Sequence, residues 1–600
     1  MSKRPVRIAN FSGYLGDRYT ALDEVMSGDP VDVLMGDYLA EITLAGFAAR
    51  YKANASSGYA DYFVEQLRPH VAAIAERGLK VVTNAGGFNP AGLARTLEML
   101  CSGAGVTLSV AYVDGDNILE RLPALQAAGH TLEHLDTGAP LDSWGFEPIA
   151  ANAYLGAWGI AEALRAGADI VVCGRVTDAS LTLGPAAWWH DWPTDAWDEL
   201  AGAIVAGHII ECGPHAVGGN FTGFTTIPGA MHPGFPIAEI AADGSSVITK
   251  HARDGGAVTV DTVTAQLVYE IQGPLYLNPD VIVDIASVQL ERIAPDRVRL
   301  FGVKGLPPPP TTKVALFAPI GYQMVSTVYV TGYNAEQKIE MIREQVRGML
   351  LGAGIDELTI TPMGHAADDP ASQWDATIPV RIMATSRERE PLEQANFANK
   401  LSSLYLCSIP GFYQDTGAQR MVQPQPRIQY WPAILPMNVL EHRAVLADGR
   451  EIVIPPPTTT TATFAQPKHP EPARGSAHIP STTETRRVPL GTIAYARSGD
   501  KGANSNVGIW VADERAWPWL RETLGSQTIR ELVAEARDLE IVRHEFPHLR
   551  AVHFVFRGLL GSGGSSNLRA DQVGKAVGEY ILAKHVDIPV ELLRDPVTLV

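Results

Sequence analysis

The 600-residue sequence predicts an α/β protein, with an open, mostly parallel sheet in the N-terminal region, a mixed α+β second region and a small C-terminal α+β domain. Two observations predict this class. Short apolar runs that end in glycine-rich or polar loops alternate with helical segments over residues 1–230. Beyond that point the chain changes to alternating β-branched residues with frequent turn signals, which is typical of mixed α+β structure.

The N-terminal region, residues 1–230, contains five predicted strands. Their apolar runs are "VRIAN", "VDVLMGD", "GLKVVTNAGG", "GVTLSVAYVDGD" and "AGADIVVCGRVTDAS". Ligands of open α/β sheets bind outside the carboxyl ends of the strands. We therefore expect the functional residues in the loops that follow these runs.

Three further segments complete the predicted organisation. Residues 231–454 form the mixed α+β region, packed on the first and with an amphipathic helix in "AEQKIEMIREQVRGMLLGAG". Residues 455–487 are rich in proline and threonine, which predicts a semi-extended linker without a core of its own. Residues 488–600 contain strands separated by two helices, as expected of a small α+β domain.

Charge and cysteine usage restrict the class of function. The formal net charge is −18, which argues against nucleic acid as a partner because an acidic surface repels phosphates. No apolar run approaches the roughly 18 residues of a membrane span, and no secretory signal pattern follows the basic N-terminus. The four cysteines form no CxxC pair, so the sequence indicates neither structural zinc nor a disulfide framework. We expect a cytoplasmic protein that does not bind a membrane.

The stretch "TNAGGFNPAG" is the first candidate binding loop. Asn84, Gly86 and Gly87 follow a predicted strand and precede a helix that Pro90 opens. Glycines allow a ligand to approach backbone amides, and the helix N-terminus favours an anion such as a carboxylate, a thioester oxygen or a phosphate. The pattern is not GxGxxG, and the alternative is a tight turn closing a βα unit.

Paired carboxylates form the second candidate. Asp37 and Glu41 would lie on one face if a helix begins there, and Asp114 and Asp116 follow another predicted strand. Such pairs transfer protons or bind a hard divalent ion. The alternative is helix capping and turn chemistry. We assign no residue as a metal ligand and keep a divalent ion as an alternative only.

The stretch "CGRVTDASLTLGP" is more specific. Arg175 and Asp178 leave the end of a nearly pure apolar strand. An arginine at this position can bind a carboxylate or phosphate with two hydrogen bonds, and Asp178 can orient it or act as a base. The alternative is an internal ion pair between the two residues.

The stretch "ECGPHAVGGNFTGF" combines an imidazole with a glycine-rich turn. We predict His215 to be an acid–base group with a pKa near the working pH. Gly218, Gly219 and Asn220 are candidates for oxyanion donors. The sequence favours an inert, buried Cys212 over a nucleophile.

The stretch "ARSGDKGANSNVGIW" places Arg497, Asp500 and Lys501 among glycines. We expect a loop that ends before a strand and binds an anionic or polar ligand. A second glycine and serine loop, "FRGLLGSGGSSNLRAD", is the expected neighbour. The two loops would form a binding rim or a contact between domains.

Six stretches together resemble one protein family. They are "GDYLAE", "TNAGGFNP", "CGRVTDAS", "CGPHAVGGNF", "YEIQGPLYLNPDV" and "ARSGDKGANSNVGI". They resemble the acyclic terpene utilisation family, the AtuA-like proteins, over nearly the whole chain. The resemblance implies a small C-terminal ferredoxin-like domain. It also implies a role in the catabolism of citronellol- and geraniol-type acids as CoA thioesters, beside an acyl-CoA carboxylase, an enoyl-CoA hydratase and acyl-CoA dehydrogenases.

Three functions follow from these observations. The leading hypothesis is an enzyme that acts on an acyl-CoA thioester or related branched carboxylic acid by lyase or hydratase chemistry. Asp37, Asp178, His215 and Arg175 would be catalytic, and the glycine-bearing loops would bind the substrate. The alternatives are a hydrolase of an ester, lactone or amide, with or without a divalent metal, and a non-catalytic assembly partner of an acyl-CoA carboxylase. We expect a small-molecule acyl substrate, a homo-oligomer, a carboxylase or hydratase partner, and no certain cofactor.

Overall fold

The computed structural model describes residues 3–40, 42–414, 423–472 and 484–593. The chain divides into two compact units. The first contains residues 1–317, 430–564 and 573–600, and the second contains residues 318–429 and 565–572. The predicted domain boundaries at residues 230, 454 and 487 stay predictions.

The described strands fall into several sheets. The strands up to residue 301 are β1 (Val6–Ser12), β2 (Val33–Gly36), β3 (Lys80–Thr83), β4 (Val110–Asp114), β5 (Ala150–Ala153), β6 (Ile170–Cys173), β7 (Pro236–Ile240), β8 (Ser246–Lys250), β9 (Leu275–Leu277), β10 (Ile282–Asp284), β11 (Gln289–Ala294) and β12 (Arg297–Phe301). The later strands are β13 (Lys304–Leu306), β14 (Thr311–Thr331), β15 (Glu357–Pro362), β16 (Thr377–Ser386), β17 (Tyr413–Gln414), β18 (Gln425–Pro436), β19 (Arg443–Val445), β20 (Glu451–Val453), β21 (Thr485–Pro489), β22 (Tyr495–Lys501), β23 (Asn504–Trp510), β24 (Ile541–Phe546), β25 (Ala551–Phe556) and β26 (His585–Pro589).

The described α-helices are mostly short. They are α1 (Ala21–Met26), α2 (Thr43–Ala53), α3 (Asp61–Leu67), α4 (Val71–Arg77), α5 (Pro90–Gly103), α6 (Leu122–Ala127), α7 (Trp158–Arg165), α8 (Ser180–His190), α9 (Trp197–Ile210), α10 (Val260–Leu267), α11 (Ala335–Leu350), α12 (Ala398–Ser402), α13 (Trp517–Thr523), α14 (Ser526–Leu532) and α15 (Val577–Leu582). Within the described parts of the chain, none of them has the length and apolar character needed to cross a bilayer.

An eleven-stranded sheet forms the centre of the first unit, in the order β11-β12-β8-β7-β1-β2-β3-β6-β4-β19-β20. The five central strands β1, β2, β3, β6 and β4 pair in parallel, and the outer strands add in antiparallel pairs. The central runs are short and continuously apolar because helices cover them. The predicted open, mostly parallel sheet of the N-terminal region is confirmed, and the sheet continues with strands that follow residue 230.

Helices α8 and α9 explain the apolar sequence between residues 180 and 210. Nearly every residue of α9 from Leu200 to Ile210 is buried, and Pro185 lies inside α8. A helix that is apolar on all sides belongs in a core. These helices hold the loop before α8 and the segment after α9 in fixed positions, and both segments carry polar residues of the site described below.

The second unit has its own core. The later part of β14 pairs with β16 and β17, and β15 extends this sheet. Helix α11, the predicted amphipathic helix, buries Ile339, Ile342, Val346 and Leu350. The predicted mixed α+β character of this part of the chain is confirmed.

The C-terminal part of the first unit is a small antiparallel sheet, β22-β23-β25-β24, with a separate β21–β26 pair. Helices α13, α14 and α15 contribute to its core, where Leu520, Ile529 and Ile581 are fully buried. The prediction of strands separated by helices is confirmed.

Residues 455–472, called the strap below, contain no helix or strand. The strap is nevertheless attached at several points. Thr461 donates from its backbone to Pro308 O and from its hydroxyl to Pro307 O, both at 2.8 Å. The side chain of Gln466 bonds both backbone groups of Leu275. Part of the predicted linker therefore lies on the first unit, and residues 473–483 fall outside the described residues.

Candidate functional site

The carboxyl ends of the central parallel strands carry the first part of the site. β2 leads into Asp37, β3 into Asn84 and β6, through Gly174, into Arg175. All three side chains are buried. Because neighbouring parallel strands end at one edge of a sheet, the loops predicted from the sequence meet here.

Asp37 is held by the neighbouring loop. Its Oδ1 accepts hydrogen bonds from Nδ2 of Asn84 at 2.7 Å and from the backbone of Leu39 at 3.0 Å. Burial, followed by the charge of Asp178, raises the pKa of Asp37 well above its ordinary value. The conditional prediction of a helix through Asp37 is wrong, because α2 begins only at Thr43. Glu41, its expected partner, lies outside the described residues.

Arg175 and Asp178 form an ion pair, the alternative considered in the sequence analysis. Nη2 of Arg175 donates to Oδ1 of Asp178 at 2.7 Å, and Nη1 donates to Leu39 O at 3.0 Å. The guanidinium lies 4.1 Å from the centre of the Tyr154 ring. Asp178 keeps 28% of its side chain exposed, whereas Arg175 keeps 4%. A ligand can therefore reach the carboxylate of this pair but not the arginine.

The candidate carboxylates Asp114 and Asp116 are both engaged by protein groups. Oδ2 of Asp116 accepts from the backbone of Arg175 at 2.8 Å, and burial raises the pKa of Asp116 to about 6. Asp114 pairs with Arg443 at 2.7 Å. No group of three or more histidine, cysteine, aspartate or glutamate side chains in the described ranges is arranged to hold a metal ion.

A second carboxyl group lies after helix α9. Oε1 of Glu211 lies 3.2 Å from Nδ1 of His208, and both residues are buried. Burial, followed by the charge of Asp178, raises the pKa of Glu211 well above its ordinary value. Burial also lowers the pKa of His208 to about 4. The raised pKa of Glu211 favours a protonated carboxyl group, which has a proton to donate, and the lowered pKa of His208 favours a neutral imidazole.

The stretch "ARSGDKGANSNVGIW" is a β-hairpin, so the predicted loop is wrong. Arg497, Asp500 and Lys501 lie on β22 itself, in register with β23 from Tyr495 to Lys501. These polar residues form a strand because β23 pairs with both β22 and β25. The expected neighbouring loop touches the hairpin turn, where the backbone of Leu560 donates to Ala503 O at 3.0 Å.

The hairpin and the loop before α15 bring cations to a partly buried glutamate. Glu270 receives Nζ of Lys575 at 2.7 Å and Nζ of Lys501 at 3.4 Å. Asp500 lies 3.6 Å from the same Lys575 ammonium. Burial alone would raise the pKa of Glu270, but the charges of Lys575 and Lys501 outweigh it and hold that pKa below its usual range. Glu270 is therefore ionised.

The backbone of Glu270 is also unusual. Its φ is +53°, in the left-handed region that non-glycine residues seldom occupy. Such a conformation costs about 1–3 kcal/mol and persists where the surroundings enforce it, often at functional sites. Asn220, with the same φ of +53°, is a second example within the site.

His215 and Arg497 connect the two parts of the site. Nη2 of Arg497 donates to Nδ1 of His215 at 2.6 Å, and Nη1 donates to Asn220 O at 2.9 Å. The amide of Asn220 lies 2.9 Å from Nε2 of His215. Burial, then the charge of Arg497, lowers the pKa of His215 to about 3. The expected pKa near the working pH is therefore wrong, and a catalytic role of His215 stays a prediction.

These groups lie near enough for their charges to act on one another and are together called the charged cluster below. Its members are Asp37, Arg175, Asp178, His208, Glu211, His215, Glu270, Arg497, Asp500, Lys501 and Lys575. Their charges act on one another across the two parts of the chain, since Lys501 lowers the pKa of Glu211, against the larger effect of burial. Lys501 and Lys575 keep 32% and 44% of their side chains exposed, so the cluster is open to solvent on their side.

The predicted glycines have clear packing reasons. A Cβ on Gly86 would lie 2.4 Å from Cys173 O, and Gly87 has a φ of +55° against Phe47. Gly218 has a φ of +99°, and a Cβ on Gly219 would lie 2.9 Å from Pro214 O. The N-terminus of α5 is capped by the side chain of Asn89, which accepts from the backbone of Gly92. Roles of these glycines in substrate binding stay predictions.

Sequence reasoning missed Glu270 and Lys575 as site residues. It gave no role to Glu211, the first residue of the stretch "ECGPHAVGGNFTGF". Glu270 follows helix α10 rather than a strand of the central sheet, and Lys575 lies in a C-terminal loop. The stretch "YEIQGPLYLNPDV" was the only signal for Glu270, and it carries no chemical pattern. The pairing of residues about 300 positions apart cannot be derived from spacing.

Comparison with known families gives two matches. The description "Acyclic terpene utilisation family protein AtuA" matches residues 6–446, and the "AtuA ferredoxin-like domain" matches residues 488–587. Searches against curated proteins and against solved structures gave no match. The two family matches cover most of the chain and include both parts of the charged cluster.

Proposed function

Because this chain belongs to the acyclic terpene utilisation family, we propose that it is an enzyme of acyclic terpene and branched-chain acid catabolism that acts on an acyl-CoA thioester or a related carboxylic acid by lyase or hydratase chemistry. The resemblance noted from six stretches and the expected ferredoxin-like domain are confirmed. The reaction itself is inferred from the charged cluster.

One observation carries the proposal: the cluster holds carboxyl groups whose pKa values are shifted in opposite directions. The pKa of Glu211 is raised, and that of Glu270 is lowered. Environments that separate the pKa values of neighbouring acids assign one as a proton donor and leave the other charged. Lyases and hydratases need a proton donor, a base and cations for a developing oxyanion.

In the dehydration direction of the hydratase reaction, the substrate would be a 3-hydroxyacyl thioester. Asp178, whose side chain is partly exposed, would remove a proton from C2, and the charge that develops on the thioester oxygen would face Lys501 or Lys575. Glu211 would give its proton to the departing hydroxyl as the C3–O bond breaks, so that water leaves and a C2–C3 double bond forms. Proton exchange with solvent then restores both acids.

In the lyase direction, the same groups would act on a different bond. Asp178 would accept the proton of the 3-hydroxyl, the C2–C3 bond would break to a carbonyl and an enolate, and Glu211 would protonate the enolate carbon. Glu270 has a positioning role in both directions, since its carboxylate fixes the ammonium groups of Lys501 and Lys575.

The test is direct turnover. The purified full chain is incubated with branched 3-hydroxyacyl-CoA and 2-enoyl-CoA thioesters, and the products are followed by mass spectrometry for loss or gain of water or for cleavage. We expect Asp178→Asn and Glu211→Gln to lower the rate by about 10²–10⁴-fold, the range for general acid–base groups. If no thioester or free acid binds or reacts, the proposal is wrong.

The matched control is Lys304→Met. Lys304 is an exposed lysine paired with Asp198 at 2.7 Å, outside the cluster. The turnover rate of Lys304→Met should equal that of the unchanged chain, because an exposed ion pair contributes little to stability. We place the reaction in the cytoplasm, which the free cysteines Cys101, Cys173, Cys212 and Cys407 support.

A further inference from the structure

A second concave site lies outside the charged cluster. It is a cavity of about 500 Å³ in the first unit, bordered by Tyr154, Trp158, Trp197 and the strap residues from Pro455 to Thr459. This volume is within the range of small-molecule sites in proteins, about 300–1,000 Å³. The family matches and the proposed reaction give it no role.

The walls of the cavity combine apolar and polar surface in nearly equal shares. Aromatic rings come from the loop after β5, from α7 and from the start of α9, and Met437 and Ile454 add aliphatic surface. Three consecutive prolines of the strap form part of the wall. Proline loses little conformational entropy on ordering, so this wall is stiff without a core of its own.

One buried carboxyl group faces this cavity. Asp280 is 4% exposed. Its Oδ2 accepts from the backbone of Ala157 at 2.9 Å and from the hydroxyl of Ser180 at 3.5 Å. Its Oδ1 makes no hydrogen bond within the described residues, although Asp280 borders the cavity. This oxygen is open to the cavity, so the hydroxyl of a ligand there can donate to it.

Gly156 makes this oxygen accessible. A Cβ on residue 156 would lie 2.2 Å from Oδ1 of Asp280, so any side chain there would cover the acceptor. Its φ is not in the left-handed region, so the glycine is required here by space and not by backbone conformation.

The charges around the cavity exclude anions. Glu162, Asp195 and Asp280 border it, and of the residues the structure describes there, none is a lysine or arginine. Glu162 is already paired with Arg165. A carboxylate or a CoA phosphate would meet only like charge here, whereas Lys501 and Lys575 in the charged cluster attract such groups.

We propose that this cavity binds an uncharged, mainly apolar alcohol, whose hydroxyl donates to Oδ1 of Asp280. This site goes beyond the proposed function, because its ligand lacks the anionic group that the charged cluster would bind. The two sites are nevertheless neighbours in the chain. Ser180, which bonds Asp280, lies two residues after Asp178, and the hydroxyl of Ser180 lies 2.5 Å from that of Thr177.

The experiment compares three probes with one chain length: 1-octanol, octanoate and octylamine. Each is titrated into the full-length protein, and binding is followed by ligand-observed NMR and by calorimetry, without any measurement of turnover. We expect saturable binding of 1-octanol and at least about tenfold weaker binding of octanoate, the discrimination expected for a hydroxyl bound to a buried acceptor. Equal binding of octanoate, or tighter binding of octylamine, would overturn the proposal.

Two variants locate the binding. Gly156→Ala should weaken the binding of 1-octanol by about tenfold or more. Gly103→Ala is the control and should leave this binding unchanged, because an added Cβ at residue 103 meets nothing within 4 Å. Thr459→Trp fills the cavity from the exposed strap, and Thr460→Trp is its matched control because Thr460 does not border the cavity. Binding of 1-octanol that survives Thr459→Trp unchanged, or that a CoA thioester displaces, would contradict a separate site.

Discussion

The charged cluster and the cavity are both linked to the short turn from Arg175 to Ser180, and they differ in almost every other respect. Arg175 and Asp178 belong to the cluster, and Ser180 bonds Asp280 at the cavity. The cluster contains four cations and several carboxyl groups. In the described lining of the cavity, by contrast, the acidic side chains have no lysine or arginine beside them. Arg175 stacks on the Tyr154 ring, and Tyr154 also borders the cavity. The turn therefore links a region that contains four cations to a cavity whose described lining contains no lysine or arginine.

The two regions also differ in how the chain builds them. The cluster joins Asp37 and Arg175, at the ends of parallel strands, to Lys501 and Lys575 of the C-terminal part. The cavity is made by the sheet edge and its helices, and is completed by the strap. The strongest test of the comparison is to remove a charge from the cluster.

Among the tests of this comparison, the largest expected effect is the loss of turnover when Lys575 is replaced. Lys575→Met removes the closer of the two cations at Glu270 and should lower turnover by about 100- to 1,000-fold, the effect of losing one group that stabilises an oxyanion. Turnover of branched acyl-CoA thioesters by the purified variant measures this. Binding of 1-octanol should be unchanged, because Lys575 does not border the cavity.

The control for this variant is again Lys304→Met, which removes an exposed lysine without touching the cluster. Both variants should stay folded, which circular dichroism and thermal unfolding would show. If Lys575→Met keeps the turnover of Lys304→Met, the cations of the cluster have no part in the reaction. If Lys575→Met also loses the binding of 1-octanol, the charged cluster and the cavity are not independent.

A smaller effect is expected in the pH dependence of stability. The pKa of Glu211 is raised, so between about pH 4.3, the unfolded value, and its higher folded pKa the native state keeps a proton that the unfolded chain releases. Stability therefore falls as pH rises through this window, by up to about 1.4 kcal/mol per pH unit for one group. Glu211→Gln should remove that slope.

The measurement is urea unfolding of the unchanged chain and of Glu211→Gln at pH 5, 6 and 7. The variant should gain in relative stability as the pH rises. In the cavity, the pKa of Asp280 is raised only to about 6, because burial is offset by hydrogen bonds from Ala157 and Ser180. The corresponding gain for Asp280→Asn should therefore level off above about pH 6. A difference between the unchanged chain and Glu211→Gln that does not vary with pH would contradict the assigned protonation.

The smallest expected effect concerns the strap. Thr461→Val removes the hydrogen bond from the hydroxyl to Pro307 O but keeps the backbone bond to Pro308. The loss should be about 1 kcal/mol, with faster cleavage of the strap in limited proteolysis and unchanged turnover. Thr460→Val is the matched control, since no hydrogen bond of the Thr460 hydroxyl is described. Equal proteolysis of the two variants would mean that this bond does not hold the strap.

The sequence was informative where chemistry follows a regular element. Asp37, Asn84 and Arg175 follow apolar strands, and the rule that ligands gather at strand ends predicted their meeting. The same rule missed Glu211, which follows a helix buried on all sides, and Glu270, which lies in a strained turn. Arg497, Asp500 and Lys501 were identified as polar residues of interest but placed in a loop, because their strand lacks an apolar alternation.

The division of the charged cluster along the chain has a consequence for biosynthesis. The carboxylate of Glu270 leaves the ribosome long before Lys501 and Lys575, which lie 231 and 305 residues later in the chain. Domains of a nascent chain fold in order from the N-terminus. The first part of this protein therefore carries the charge of Glu270 without these two lysines until the C-terminal part has been made, and a product truncated before Lys501 would lack both.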